Sequence, residues 1–273
     1  MAIELGRIGI WRSATQTNGE FAAGVEKLGY GALWLGGSPG GDLKIVDELL
    51  SATEHLVVAT GIVNIWSDGA GSIAKAFHRI NGKYPDRFLL GVGAGHPEAT
   101  QQYTKPYGAL VEYLDGLDAG GVPKEARALA ALGPKVVKLS GDRTAGAHPY
   151  LTTPEHTRSA REILGAGPLL APEQKVVFDT DPERARAVGR QSVKFYLRLS
   201  NYTANLRKLG FTDEDLAGEG SDRLVDALAL HGDAATIATG LRAHLDAGAD
   251  HVNIQVLGDD PFPAYRALAA ELI

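Results

Sequence analysis

A chain of 273 residues, 44% of them hydrophobic, is long enough to bury one large core, and a single barrel domain over residues 1–273 fits that length. A net charge of −6 and a pI near 5.8 argue against nucleic acid or an anionic membrane as partner, since no basic stretch is dense enough to neutralise phosphates. With no cysteine, no signal-peptide pattern and no apolar run near 20 residues, the expectation is a cytoplasmic protein without disulfides or a Cys-ligated metal.

Short apolar runs alternate with helical patterns from end to end. Residues 7–12 suit a strand and 17–28 a helix, followed by a strand at 32–35 and a helix at 42–52. The β-branched run 56–66 predicts the third strand, with helix 72–83 after it. Residues 88–92 form the fourth strand and 107–119 its helix; 126–132 is a weaker fifth strand, followed by a short helix over 134–141. The sixth unit is strand 145–151 with helix 153–164, where Thr153 and Pro154 suit a helix start. Strand seven is expected at 176–179, with Asp181-Pro182 opening the next helix and an added helical segment near 186–230. Helix 234–246 then leads to an eighth strand at 251–257. Strictly alternating βα units imply a parallel sheet, and eight of them favour an α/β fold closed as a (β/α)8 TIM barrel.

Chemistry in such barrels sits where strands end in loops at the C-terminal face. That places two of the eight histidines on the reactive rim: His96 just past strand four and His148 at strand six. The other six fall on helices, connections or the opposite rim, where a solvated or core-satisfied histidine is expected. The rim has no His-x-His pair for a metal and no strand-end lysine for an imine, so no metal is expected. It offers glycine, aromatic surface and an amide instead: Trp11, Trp66, Asn64, Gly93 and Gly95. This suits a slot for a large planar cofactor whose own chemistry carries the reaction. Gly133-Pro134 leaves free N–H groups at the start of the helix after strand five, an arrangement suited to phosphate.

Three alternate glycines in residues 91–95, followed by His96 and Pro97, could also open a dinucleotide-binding helix. Three βα units precede them and Pro97 follows closely, while the acids at the expected distance, Asp115 and Asp118, fall in a helical pattern. The run is therefore read as a barrel-rim loop.

Several segments together resemble the luciferase-like flavin and deazaflavin oxidoreductases, in the branch that uses coenzyme F420. They are residues 60–66 (TGIVNIW), 84–95 (YPDRFLLGVGAG), 131–135 (ALGPK), 144–150 (TAGAHPY) and 248–257 (GADHVNIQVL). They spread over nearly the whole chain in the family's order. The resemblance implies a barrel carrying the tricyclic cofactor across its mouth. It also implies a non-proline cis peptide backing the ring at Gly61-Ile62. Trp11, Asn64, Gly93, Ala94 and Gly95 would lie near the ring or its side chain, and Ala131, Leu132, Gly133 and Pro134 near the phosphate. A homodimer is a further family expectation.

Two departures stand out. Where the sugar-phosphate dehydrogenase branch has an Asp-His pair after strand two, this chain has Gly36-Gly37, which argues against glucose 6-phosphate as substrate. Where that branch has an acid after strand four, this chain has His96. The expected activity is hydride transfer between C5 of F420 and a small organic substrate, with His96 or His148 managing the proton. An FMN-dependent luciferase-like monooxygenase and a non-catalytic F420 carrier are the alternatives. A cofactor-free phosphate isomerase or aldolase is disfavoured by the lack of a strand-end lysine or a carboxylate pair.

Overall fold

The computed structural model describes residues 3–96, 98 and 105–273; Pro97, at the end of the glycine-rich run, lies outside the described residues. The strands are β1 (Ile8–Ser13), β2 (Ala32–Gly36), β3 (Val57–Thr60), β4 (Val63–Asn64), β5 (Phe88–Gly93), β6 (Arg127–Leu129), β7 (Gly146–Ala147), β8 (Leu169–Leu170), β9 (Glu173–Val177), β10 (Ala229–His231) and β11 (Val252–Val256). Every strand pairing is parallel. The helices between them are α1 (Gly19–Lys27), α2 (Lys44–Ser51), α3 (Ala70–Lys83), α4 (Pro106–Ala119), α5 (Pro134–Arg143), α6 (Pro154–Leu164) and α7 (Pro182–Tyr196). After these come α8 (Ser200–Lys208), α9 (Asp213–Leu216), α10 (Asp222–Leu228), α11 (Ala234–Asp246) and α12 (Phe262–Leu272).

Residues 169–177 close the ring. On one edge, Leu169, Ala171 and Glu173 donate their N–H groups to the carbonyls of Ala145, Ala147 and Pro149, which joins β8 and β9 to the β7 segment. On the other edge, β9 pairs with β11, and β11 pairs with β1 in turn. The expected (β/α)8 barrel is therefore present. Its strands alternate as closure requires: Trp11, Ala32, Trp34, Val57, Ala59, Leu89, Ala128 and Ala171 meet in the interior. Their neighbours Ile10, Leu33, Leu35, Val58 and Leu90 pack outward under the helices. Among the described residues, no helix is long and apolar enough to cross a membrane.

Five elements differ from the sequence expectation. The third strand breaks into β3 and β4 at a cis peptide between Gly61 and Ile62. The sixth strand shrinks to Gly146–Ala147. The seventh begins earlier than expected and ends at Val177, so of residues 176–179 only the first two are in the sheet. The added segment is four helices, α7 to α10, ending in the extra strand β10 rather than in helix up to residue 230. Helix α12, not expected, follows the last strand and puts Tyr265 and Leu268 into the outer core.

Local signals account for the helix starts. Asn18 accepts from the N–H of Phe21, Asp181 from Glu183 and Arg184, and Asp233 from Thr236, each meeting donors that a helix end leaves free. Thr153 stands at the N-cap of α6 before Pro154, but its side chain makes no capping bond.

Candidate active site

Trp11 points inward near the end of β1, and its ring lies where a side chain on β2 would otherwise stand. A Cβ on Gly36 would fall 1.9 Å from Trp11 Cζ2. The absent Asp-His pair after strand two thus has a steric counterpart: glycine there admits the indole. On its other side Trp11 meets Tyr150, with ring centroids 5.1 Å apart.

The cis peptide sits beside this indole. A Cβ on Gly61 would lie 3.0 Å from both Trp11 Nε1 and His148 Nε2. Gly93 supports Ile62 from behind, since a Cβ there would come within 3.0 Å of Ile62 Cγ1 and 2.9 Å of Ala130 Cβ. Asn64 follows the cis peptide, and its Oδ1 accepts from the N–H of Trp66. Gly95, at φ +62°, lets the next loop pass close to the Asn64 amide, since a Cβ there would lie 3.0 Å from Asn64 Nδ2.

These groups surround one cavity of about 580 Å³ at the C-terminal mouth. Of the residues expected from the sequence, Trp11, Gly61, Ile62, Asn64, Ala94, Gly95, Ala131, Leu132, Gly133, His96 and His148 all line it. Gly93 and Pro134 are not among its lining residues: the first backs Ile62, and the second is the first residue of α5. Trp66, expected as rim aromatic surface, packs on the outer core and donates Nε1–H to the carbonyl of Ala94. At the far side Gly133 caps α5 without any side-chain bond, and Lys135 lines the cavity next to it.

Sequence reasoning missed the wall contributed by α7 and α8. Tyr196, Asn201, Tyr202, Asn205 and Lys208 all line the cavity, as does Tyr150. The spacing of 201, 205 and 208 puts them on one helical face, which is the signal that could have found them. His96 packs on Tyr202 with ring centroids 5.2 Å apart, while Glu98 accepts from the N–H of Ser200 at the start of α8. The loop after β5 is thereby tied to the added helices.

The two rim histidines differ in character. His148 is 2% exposed, and its Nδ1 lies 2.7 Å from the carbonyl of Ala171, so that nitrogen carries the proton. Burial holds its pKa down to about 4, against the pull of that bond, and Nε2 has no partner among the described residues. His96 is half-buried; burial lowers its pKa as well, with Asn201 and Glu98 acting the other way. Its Nδ1 too has no partner among the described residues.

Tyr150 donates to Gln255 Oε1 at 2.9 Å and shares a 2.8 Å bond with Tyr196, so Tyr196 is the donor in that second bond. Beneath Tyr150 lies the Lys175 ammonium, 3.8 Å from the ring centroid and 3.1 Å from Glu173. Both charges are fully buried. Burial pushes Glu173 up and Lys175 down, and their mutual attraction opposes both shifts. Among the described residues no group of three or more His, Asp or Glu side chains could hold a metal ion.

Residues 5–120 match the luciferase-like monooxygenase family. The fold is the luciferase-like barrel. Among solved structures, an F420-dependent secondary alcohol dehydrogenase in complex with an F420-acetone adduct matches at a TM-score of 0.77 and 14% identity, over 99% of this chain and 98% of that one. The coenzyme F420-dependent tetrahydromethanopterin reductase of Methanopyrus kandleri matches at 0.72 and 14%, over 98% of both chains. The oxygenating constituent of 3,6-diketocamphane monooxygenase from the CAM plasmid of Pseudomonas putida, in complex with FMN, matches at 0.70 and 16%, over 98% of this chain and 96% of that one. No curated protein matches by sequence. Proteins of this fold thus include both F420-dependent and FMN-bound ones.

Proposed function

We propose that the protein is an oxidoreductase that holds coenzyme F420 in this cavity and moves a hydride between the cofactor and a small organic substrate. The observation that carries the reading is the cavity wall beside the cis Gly61-Ile62 peptide, where two buried polar atoms, Trp11 Nε1 and His148 Nε2, have no partner among the described residues. Such a cradle fits a flat ring with polar edges. Its phosphate would meet the free N–H groups of α5 at Gly133, beside Lys135. One feature favours F420 over FMN: Lys135 and Lys208 give the cavity two cations, which suit a longer anionic tail than a single phosphate.

When bound, the deazaflavin supplies the carbon that takes or gives hydride. The protein's part is to orient both reactants and to manage the proton. His96 is the residue for the proton: it is half-buried, lines the cavity and has a ring nitrogen with no partner among the described residues. Tyr202, Tyr196 and Tyr150 shape the apolar wall against which a small substrate packs.

Titration with F420 and with FMN, followed by tryptophan fluorescence quenching, tests the reading. F420 is expected to bind and to turn over with some member of a panel of alcohols, aldehydes and enones. FMN binding without F420 binding overturns the assignment, and F420 binding without any turnover favours a carrier. A His96→Ala variant is expected to bind F420 normally but to lose most turnover; full turnover removes His96 from the mechanism.

A further inference from the structure

Trp11 and His148 each bury a polar atom that has no partner among the described residues. Trp11 is 8% exposed and His148 2%, and both line the same cavity. A Cβ on Gly61 would lie 3.0 Å from Trp11 Nε1 and from His148 Nε2, so both atoms face the same glycine at the cavity wall. Their chemistries are fixed and opposite. An indole N–H can only donate. The carbonyl of Ala171 can only accept, so His148 Nδ1 donates to it and Nε2 is left as a lone-pair acceptor.

A ligand completing this pair must offer an acceptor beside a donor. A carboxylate or phosphate brings acceptors alone and would face the Nε2 lone pair. An ammonium brings donors alone and would face the indole N–H. An imide edge, with a carbonyl next to an N–H, meets both. That edge belongs to the pyrimidinedione ring that deazaflavins and flavins share.

We propose that Trp11 Nε1 and His148 Nε2 together bind the carbonyl and N3–H edge of the cofactor's pyrimidinedione ring, donating to the first and accepting from the second. His148 is then a cofactor anchor, and the proton chemistry falls to His96. This inference rests on the cavity being a ring-cofactor site, but not on the choice between F420 and FMN.

The test compares the parent ring with its N3-methyl analogue, which cannot donate. F420 and FMN are titrated into the full-length protein by fluorescence quenching, and the N3-methylated form of whichever binds follows. The wild type is expected to bind the methylated ring about tenfold or more weakly. His148→Leu is expected to lose about tenfold in affinity for the parent ring and to show no further loss with the methylated one. Trp11→Phe is expected to weaken both rings alike. Because the methyl group is on the ligand, the wild-type comparison stands even if a variant folds poorly. Equal wild-type affinity for the two rings overturns the proposal. So does unchanged ring binding by both variants with only KM for the substrate raised, which would assign the pair to a substrate hydroxyl. Binding of FMN alone removes F420 but leaves the pair in place, and binding of neither ring overturns both readings.

Discussion

Two histidines pack against Trp34 inside the barrel, one toward each end, and only one of them has a full set of partners. Toward the N-terminal end, His251 uses both ring nitrogens: Nδ1 lies 2.7 Å from the carbonyl of Gly6, while Nε2 receives the Trp34 N–H at 3.2 Å and lies 2.9 Å from Asn253 Oδ1. Toward the mouth, His148 stacks on the same indole with centroids 4.2 Å apart, yet only Nδ1 is engaged. The two are almost equally buried. Burial alone therefore does not tell a structural histidine from a ligand-facing one. The difference lies in whether the second nitrogen is satisfied from within, and it follows the division of the barrel into a stabilising rim and a reactive one.

Paired substitutions give the largest test of that contrast. His251→Leu leaves the Gly6 carbonyl and the Trp34 N–H without their shared partner, at a cost of about 1–3 kcal/mol for each group left unmet. His148→Leu removes one bond, to Ala171, and should cost about 1 kcal/mol beyond the change in packing. Urea unfolding of the ligand-free protein should rank the first variant well below the second, while ring binding should rank them the other way round. Equal losses of stability would dissolve the distinction.

Acid gives a test of intermediate size. His148 and His244 are both held near pKa 4 by burial, below the roughly 6.5 of an unfolded histidine. As pH falls from 6.5 toward 4 the unfolded chain takes up protons that the native protein does not, so stability is full at neutral pH and drains across that window. Each histidine contributes about 3 kcal/mol to the loss. His148→Leu should flatten the slope of stability against pH between 6.5 and 4, and an unchanged slope would mean that His148 does not stay neutral. His244 supplies the comparison, because its two nitrogens are met by Thr157 and Gln174.

The same division explains what the sequence disclosed. The core was legible because strands buried on both faces, such as Ala32–Gly36, stand out as short apolar runs between helical patterns. At the mouth, the cis peptide at Gly61-Ile62 was expected only through the family resemblance, while the glycines at 93 and 95 stood out in the local sequence. Strand seven was misplaced for a physical reason: Pro172 interrupts it, and Glu173 and Lys175 look like loop residues until they are seen neutralising each other inside the barrel. The tyrosine and asparagine wall was illegible because α7 and α8 reach the mouth only through tertiary packing. Nothing near Tyr196 in sequence announces its bond to Tyr150, 46 residues away. His148 was placed on the right rim, but the proton on Nδ1 is set by Ala171, which belongs to another strand unit.

Tyr196 offers the smallest and most discriminating probe. Its hydroxyl ends a chain in which Tyr196 donates to Tyr150 and Tyr150 to Gln255, and its ring faces the cavity. Tyr196→Phe leaves the Tyr150–Gln255 bond intact and takes away a group that is only partly buried. The loss should be at most about 1 kcal/mol, a melting shift of roughly 2–4 °C for a chain of this size. Tyr150→Phe breaks both bonds and removes the hydroxyl that links α7 to β11 across the top of Lys175, so it should melt distinctly lower. If Tyr196→Phe proves the costlier of the two, the mouth is carrying fold stability of its own, and the contrast between a satisfied lower barrel and an open upper one must be redrawn.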